Sequence, residues 1–225
     1  EEAAGHLYKV RASGDGRPER LTTMEGIYQH PAWSPAGDRI VAIRGSARAY
    51  REALNQRAFT AADDIVWIPA EGGDWTLVAP TEGRSRPHFT DDPERIWLSS
   101  DDDGLVSVRW DGTDQKSHVK VTGHTRPGAT EPQRASLILK SPTGDRALAQ
   151  VNNDLYTVTI PFVGGETPSI SVADPDGAPT PARKLTEIGG QFPAWSGDGE
   201  KVHFSMGNAH FVYALAAARA AEEVA

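Results

Sequence analysis

One pattern recurs along the chain at intervals of 56, 51 and 55 residues, and it constrains the fold more than any other feature. Each copy has an anchor residue, then a turn rich in Gly and Asp, and then a basic residue six positions after the anchor. The anchors are Trp33, Phe89, Lys140 and Trp195, and the basic residues are Arg39, Arg95, Arg146 and Lys201. A chain built from such copies is a repeat protein, so the repeated unit decides the architecture.

Each copy continues as an extended strand. Two apolar residues separated by one position follow each basic residue, and this spacing puts both side chains on the same face of a strand. The pairs are Ile40 and Ala42, Ile96 and Leu98, Ala147 and Ala149, and Val202 and Phe204. The anchor and its turn are therefore predicted to lie in a β-hairpin.

Two further elements complete the unit. A second apolar strand running into a turn reads "DIVWIPAEGG" (64–73), and it has counterparts that start at positions 6, 104, 154 and 209. A third short strand reads "ERLT" (19–22) or "RKLT" (183–186). Four strands in about 40–55 residues is the size of a β-propeller blade. The sequence thus predicts an all-β β-propeller, with a general β-meander or sandwich as the alternative.

The copies are unequal in number, which predicts an incomplete ring. The second element occurs five times and the hairpin motif four times, so the chain begins and ends within a blade. We expect a partial propeller of about four blades over residues 1–212, followed by an Ala-rich helical linker at 213–225. The expected parts are blade fragments 1–26 and 191–212 and full blades 27–84, 85–131 and 132–190. Because an open row of blades exposes two sheet edges, further blades are expected from upstream or from another chain.

Charge and composition exclude several classes of partner. The chain has 31 acidic and 23 basic residues, a net charge of −8, which argues against nucleic-acid binding because phosphate contacts need clustered Lys and Arg. Cysteine is absent, so disulfides and thiolate metal sites are excluded. No apolar run approaches the ~20 residues of a membrane-spanning helix, so no membrane span is expected.

Two insertions distinguish the blades. About 16 extra residues lie within 45–63 of the first full blade, and their Ala, Leu and Glu content favours a short helix. This segment is the predicted docking loop, with a solvated decoration as the equal alternative; its contact residues would be Arg48, Tyr50, Arg51, Arg57 and Phe59. The extra residues at 166–182 are rich in Pro and Gly and predict an extended hairpin loop.

The repeats resemble a known family. "PAWSPAGDRI", "FPAWSGDGEKVHFS", "DLYTV" and "RKLT" resemble the repeats of TolB-type and tricorn-type β-propellers. The final stretch, from "RKLTEIGG" through the Ala-rich segment, is similar to the last blade and exit helix of extracytoplasmic proteins that carry such a propeller ahead of an amidohydrolase domain. The resemblance implies a hydrolase parent, a divalent metal only in the following catalytic domain, and a periplasmic or secreted location.

Motifs for chemistry are weak in this chain. An amidohydrolase metal centre needs a His-x-His pair, and none occurs among the seven histidines, His6, His30, His88, His118, His124, His203 and His210. "HFSMG" (203–207) lacks the first glycine of a nucleophile elbow, and "DDDG" (101–104) is better explained as a hairpin turn than as a calcium loop. We therefore predict no catalytic, cofactor-binding or metal-binding residues here, and we leave open whether the protein is an enzyme.

These observations favour a noncatalytic module that acts as a scaffold, substrate gate or docking surface for an amidohydrolase-like parent. Its expected partners are the hydrolase domain and other blades of the same parent, and it could also form an oligomer. The alternatives are a stand-alone TolB-like interaction propeller of the cell envelope and the propeller of a serine peptidase.

Overall fold

The computed structural model describes residues 4–54 and 63–223, which fold predominantly as β-strands joined by turns. This confirms the all-β prediction. The chain divides into two compact units, residues 1–96 with 108–115 and residues 97–107 with 116–225. No helix in the described ranges is long and apolar enough to cross a membrane.

The first unit contains a two-stranded and a four-stranded antiparallel sheet. The small sheet pairs β1 (Tyr8–Lys9) with β2 (Glu19–Arg20). The larger sheet has the order of the sequence and consists of β3 (Ile27–Trp33), β4 (Arg39–Gly45), β5 (Asp63–Pro69) and β6 (Thr76–Pro80). The helix α1 (Ala47–Leu54) follows β4, as the composition of the insertion predicts. Buried apolar residues of this unit include Leu21, Ile40, Val66 and Ile68.

The next sheet contains the division between the two units, which falls within its second and third strands. Its order is again sequential, and its members are β7 (Arg84–His88), β8 (Arg95–Ser100), β9 (Gly104–Arg109), β10 (Lys116–Thr125) and β11 (Pro132–Arg134). The "DDDG" stretch forms the turn between β8 and β9, as predicted.

The second unit continues the repeat. Its strands are β12 (Leu137–Lys140), β13 (Arg146–Val151), β14 (Asp154–Thr159), β15 (Ser169–Ser171), β16 (Ala182–Lys184), β17 (Gln191–Trp195), β18 (Lys201–Met206) and β19 (Ala209–Ala214). One sheet has the order β12-β13-β14-β16, and another has the order β17-β18-β19. The helix α2 (Leu215–Glu223) ends the described chain. Buried aliphatic residues such as Ile138, Leu148 and Leu155 form the core.

The recurring turn is stabilised by side-chain oxygens. Ser34 Oγ donates to Asp38 Oδ1 at 2.7 Å and accepts the backbone N–H of Arg39 at 3.2 Å. In the last copy, Ser196 Oγ donates to Asp198 Oδ1 at 2.5 Å and accepts the N–H of Lys201 at 2.9 Å. Hydrogen bonding from the neighbouring Ser holds the pKa of each Asp below its usual value. The Ser and Asp of the motif therefore close the hairpin, which explains their recurrence.

The anchor and basic positions join successive copies of the motif. In the second unit, Trp195 Nε1 donates to the carbonyl of Leu139, one repeat earlier, at 3.0 Å. Arg146 extends to the carbonyl of Gly199 at 3.3 Å, in the turn of the next repeat. In the first unit, Arg39 lies over the Trp110 ring with 4.5 Å to its centroid. Trp195, Arg146 and Arg39 thus each contact a residue of a neighbouring repeat.

Two predictions from the sequence need correction. The segment 166–182 is more than a loop, because β15 pairs in parallel with β10, with Val121 opposite Ile170, which is buried. The helical segment begins at Leu215, two residues later than predicted, because Tyr213 and Ala214 still pair with Val202 and Lys201 of β18. In both cases strand pairing overrides the local signal, with the distant strand β10 in the first case and with the preceding strand β18 in the second.

Candidate functional site

A backbone irregularity recurs in the leading strands, by which we mean the first strand of each sheet. His30 in β3, Arg86 in β7 and Phe192 in β17 all have positive φ angles, of 50°, 55° and 53°. Each immediately precedes a proline that lies two positions before the aromatic anchor. The strand register shifts at this place in β3, between Gln29 and Ala32, and in β17. The motif therefore introduces a β-bulge and turns one side chain out of the normal alternation.

Proline accounts for this bulge. It has no N–H to donate to the neighbouring strand, so a ladder hydrogen bond is lost where it occurs. The leading strand β12 has Leu137 in place of the residue before proline and Ile138 in place of proline, and its ladder from Leu137 to Lys140 shows no register shift. A residue in the left-handed region costs about 1–2 kcal/mol, and such strain is concentrated at functional sites.

In the first unit, the positive-φ positions are a histidine and an arginine on two strands that contact each other, β3 and β7. Arg86 is exposed and His30 is partly buried. Burial, together with the positive charge of Arg86, lowers the pKa of His30 below its usual value. Within residues 4–54 and 63–223, neither side chain has an ion pair or a side-chain hydrogen bond. The two groups are thus close in space and available to a ligand.

A third side chain supports this arrangement. The Nδ1 atom of His88 lies 2.8 Å from the carbonyl oxygen of Arg86. A carbonyl can only accept, so this contact requires the proton on Nδ1 and leaves Nε2 as the acceptor of the ring. His30, Arg86 and His88 form what we call the basic cluster. Its one permanent charge is that of Arg86, and its chemistry suits an anion rather than a metal cation.

The sequence analysis predicts no metal-binding role for His30 and His88 and does not single out Arg86, so it does not identify this cluster. A usable signal is present, however. In three copies of the motif the residue before the proline has a positive φ, and in two of these copies that residue is basic. Only the contact between β3 and β7 brings those two residues together.

Within the predicted docking loop, the hydroxyl of Tyr50 is hydrogen-bonded to residues of the first unit. The hydroxyl of Tyr50 donates to Asp63 Oδ2 at 2.8 Å and accepts a hydrogen bond from Gln29 Nε2 at 2.5 Å. Burial, and then the hydrogen bond with Asp63, raise the pKa of Tyr50 to about 12. Tyr50 therefore ties α1 to β3 and β5. Arg48 is exposed on α1, while Arg57, Phe59 and the side chain of Arg51 lie outside the described residues.

We expect Tyr50→Phe to lower the free energy of unfolding by about 1–3 kcal/mol, because Gln29 and Asp63 each lose a buried partner. The neutral phenol is favoured in the folded state. Its stabilisation is complete below the ordinary tyrosine pKa near 10 and is lost as the pH rises from 10 to 12, an effect of about 1 kcal/mol after allowance for solvent screening. Urea unfolding across this pH range measures both effects. Tyr28→Phe, which removes an exposed hydrogen bond to the carbonyl of Met24, is the matched control and should change little.

Among the described residues, no strand pairs with β19 on the side away from β18. The sheet of β17, β18 and β19 has three strands, whereas the sheets that begin with β3 and β12 have four. Two large apolar side chains of β19 are exposed, Val212 at 51% and Phe211 at 38%, and they lie on opposite faces of the strand. We call this pair, Phe211 and Val212, the open-edge patch. A strand edge with exposed apolar residues is a surface for pairing with another segment of chain.

The remaining candidates do not form a catalytic constellation. His203 Nδ1 and His210 Nε2 lie 3.2 Å apart on β18 and β19, with nearly parallel rings. Among the described residues, no three His, Cys, Asp or Glu side chains are grouped so that they could hold a metal ion. A groove of about 400 Å³ in the second unit is lined by Arg146, Arg183 and Leu215 among others, and Arg146 is paired with Glu200 at 3.4 Å.

Comparisons with known proteins identify the fold. No family model and no curated protein matches the chain. The structure is similar to oligogalacturonate lyase from Vibrio parahaemolyticus, with a TM-score of 0.58 and 11% identity over 94% of this chain and 58% of that one. It is also similar to the Dos1 propeller (TM-score 0.46, 11% identity, 88% and 44% covered) and to a TolB-like protein from Agrobacterium tumefaciens (0.35, 14%, 83% and 84%).

The likeness to the lyase, which is a β-propeller, shows that this chain has the β-propeller fold predicted from its repeats. The chain spans 58% of the length of the lyase. At 11% identity the likeness concerns the fold alone.

Proposed function

We propose that the chain is a noncatalytic β-propeller module that serves as a scaffold, substrate gate or docking surface within an amidohydrolase-like hydrolase. The observation that supports this role is the open-edge patch on β19. An exposed strand edge beside apolar side chains is unfavourable in water, and burying it against another strand stabilises both partners.

The occupant we propose for the open edge is a further strand and blade of the same parent protein. The sheets that begin with β3 and β12 have a fourth strand outside the third, and this position beside β19 is open in the three-stranded sheet. The lyase with the same fold is longer than this chain, which spans 58% of it. Both observations support additional blades as the partner rather than a small ligand.

The gating role follows from general properties of propellers. Their repeated sheets form a rigid support that positions loops near a neighbouring active site, and selection acts by exclusion and orientation rather than by bond chemistry. The metal implied by the family resemblance does not fit the described residues, because they offer no three-ligand group. We therefore assign that divalent metal to a following catalytic domain, and we propose the periplasm or the extracellular space as the location.

The coding sequence after residue 225 tests the parent. A His-x-His motif followed by an α/β-barrel pattern would support the amidohydrolase-like hydrolase. A Gly-x-Ser-x-Gly elbow would instead indicate that the parent is a serine peptidase, and a stop codon would indicate a stand-alone TolB-like propeller. Turnover of amide or ester substrates by this chain alone would contradict the noncatalytic assignment.

The open edge is tested by producing this chain and the rest of its parent as two polypeptides and measuring their affinity by calorimetry. We expect association, and we expect Val212→Lys to weaken it at least about tenfold, since it places a charge in a buried apolar contact. Val163→Lys is the matched control, because Val163 has a similar exposure, 58%, and lies outside the sheet. No association of the unsubstituted pair, or equal loss with both variants, would contradict the proposal.

A further inference from the structure

We propose that His30 and Arg86 bind the carboxylate of a small organic anion, at a site formed by the two positive-φ positions of β3 and β7. This inference goes beyond the proposed function and does not depend on it. It concerns only residues of the first unit.

The first argument is the contrast between Arg86 and its neighbour Arg84 on the same strand. The Arg84 side chain is 2% exposed, and it donates to the carbonyl of Thr81 at 2.8 Å and to Glu82 at 2.5 Å. Arg86 is exposed, and no carboxylate within the described ranges pairs with it. An exposed guanidinium without a carboxylate partner in the described ranges, beside a half-buried imidazole, offers its charge and its donors to an external anion.

The second argument is the strained backbone that holds both groups. His30 and Arg86 have φ angles of 50° and 55°, a backbone conformation that residues other than glycine rarely adopt. Pro31 and Pro87 follow directly and restrict the chain further. The contact of His88 Nδ1 with the Arg86 carbonyl further restricts the backbone of β7 at Arg86. These restraints hold the backbone of both residues in place before a ligand arrives, which lowers the entropic cost of binding.

The third argument is charge matching, which favours a carboxylate over a phosphate. Because the pKa of His30 lies below its usual value, the imidazole is neutral at pH 7 and supplies one N–H donor without a second charge. Arg86 supplies the single positive charge and a planar fork of donors that fits two carboxylate oxygens. A phosphate dianion would need more positive charge than the cluster holds.

The test is an NMR titration of the His30 ring signals with acetate, succinate and D-glucuronate, and in a separate arm with inorganic phosphate. We expect saturable shifts of His30 with the carboxylates, and weaker binding of phosphate. Arg86→Gln should weaken carboxylate binding at least about tenfold, and Arg86→Lys should weaken it less because the charge remains.

The matched control is Arg20→Gln, which removes the same charge from an exposed position on β2. It should leave carboxylate binding unchanged, and circular dichroism checks that each variant is folded. The proposal is overturned if the His30 signals do not respond to carboxylates, if phosphate binds as tightly as they do, or if Arg20→Gln weakens binding as much as Arg86→Gln.

Discussion

Replacing Gly104 by alanine is expected to lower the free energy of unfolding by more than about 3 kcal/mol, although the substitution adds only one methyl group. Gly104 begins β9 with a φ of +76°. A Cβ atom there would lie 2.2 Å from the carbonyl oxygen of Val119 and 3.0 Å from the Cα of Lys120. Both are backbone atoms of β10, and moving them would disturb the ladder in which Val119 pairs with Leu105.

The matched control for this prediction is Gly128→Ala. Gly128 has a similar φ of +84°, but no atom lies within 4 Å of the position that its Cβ would occupy. Gly128→Ala should therefore lower the free energy of unfolding only by the cost of backbone strain, about 1 kcal/mol. Guanidinium unfolding of both variants measures the difference. If both variants lose the same free energy of unfolding, the close approach of β10 to Gly104 does not affect stability, and the steric explanation is wrong.

Arg84→Ala is expected to cost about 2–3 kcal/mol, the second largest effect. The buried guanidinium donates to the carbonyls of Thr81 and Pro80 and to the exposed side chains of Glu82 and Gln115. Its removal loses these hydrogen bonds and the packing of a side chain that is 2% exposed. Arg84→Lys should lose most of this stability too, because an ammonium group cannot bond to several acceptors in the geometry of a planar fork.

Thermal or guanidinium unfolding of Arg84→Ala, Arg84→Lys and the exposed control Arg11→Ala checks this prediction. Arg11 lies in an exposed turn, and its removal should change stability by less than about 0.5 kcal/mol. A loss from Arg84→Ala as small as that from Arg11→Ala would mean that water replaces the guanidinium, and it would contradict the buried role of Arg84.

Hairpins, turns and strand order could be predicted from local sequence patterns. The Ser, Asp and Gly of the motif around Trp33 and Trp195 specify a turn through contacts within five residues, and the apolar alternation that follows specifies the buried face. The same holds for α1, whose composition alone favours a helix. These features depend on neighbours in sequence, so they can be recognised without knowledge of the fold.

The candidate site was much harder to predict from the sequence. Tyr50 belongs to a segment that was predicted to dock a partner, yet its hydroxyl is held by Gln29 and Asp63, both more than ten positions away. His30 and Arg86 are separated by more than fifty positions, and neither is unusual within its own strand. Their joint availability as anion ligands depends on which strands contact each other, and no local pattern contains that information.

For this protein, a short list of local rules was sufficient to establish the β-propeller repeat, because hydrogen bonds within a turn and alternation along a strand act over a few residues. The parallel pairing of β15 with β10, the contact of Arg84 with Gln115 and the proximity of His30 to Arg86 arise only when distant segments pack. Burial and charge in those places depend on atoms contributed from far along the chain, and this is why the functional candidates emerged from the folded molecule.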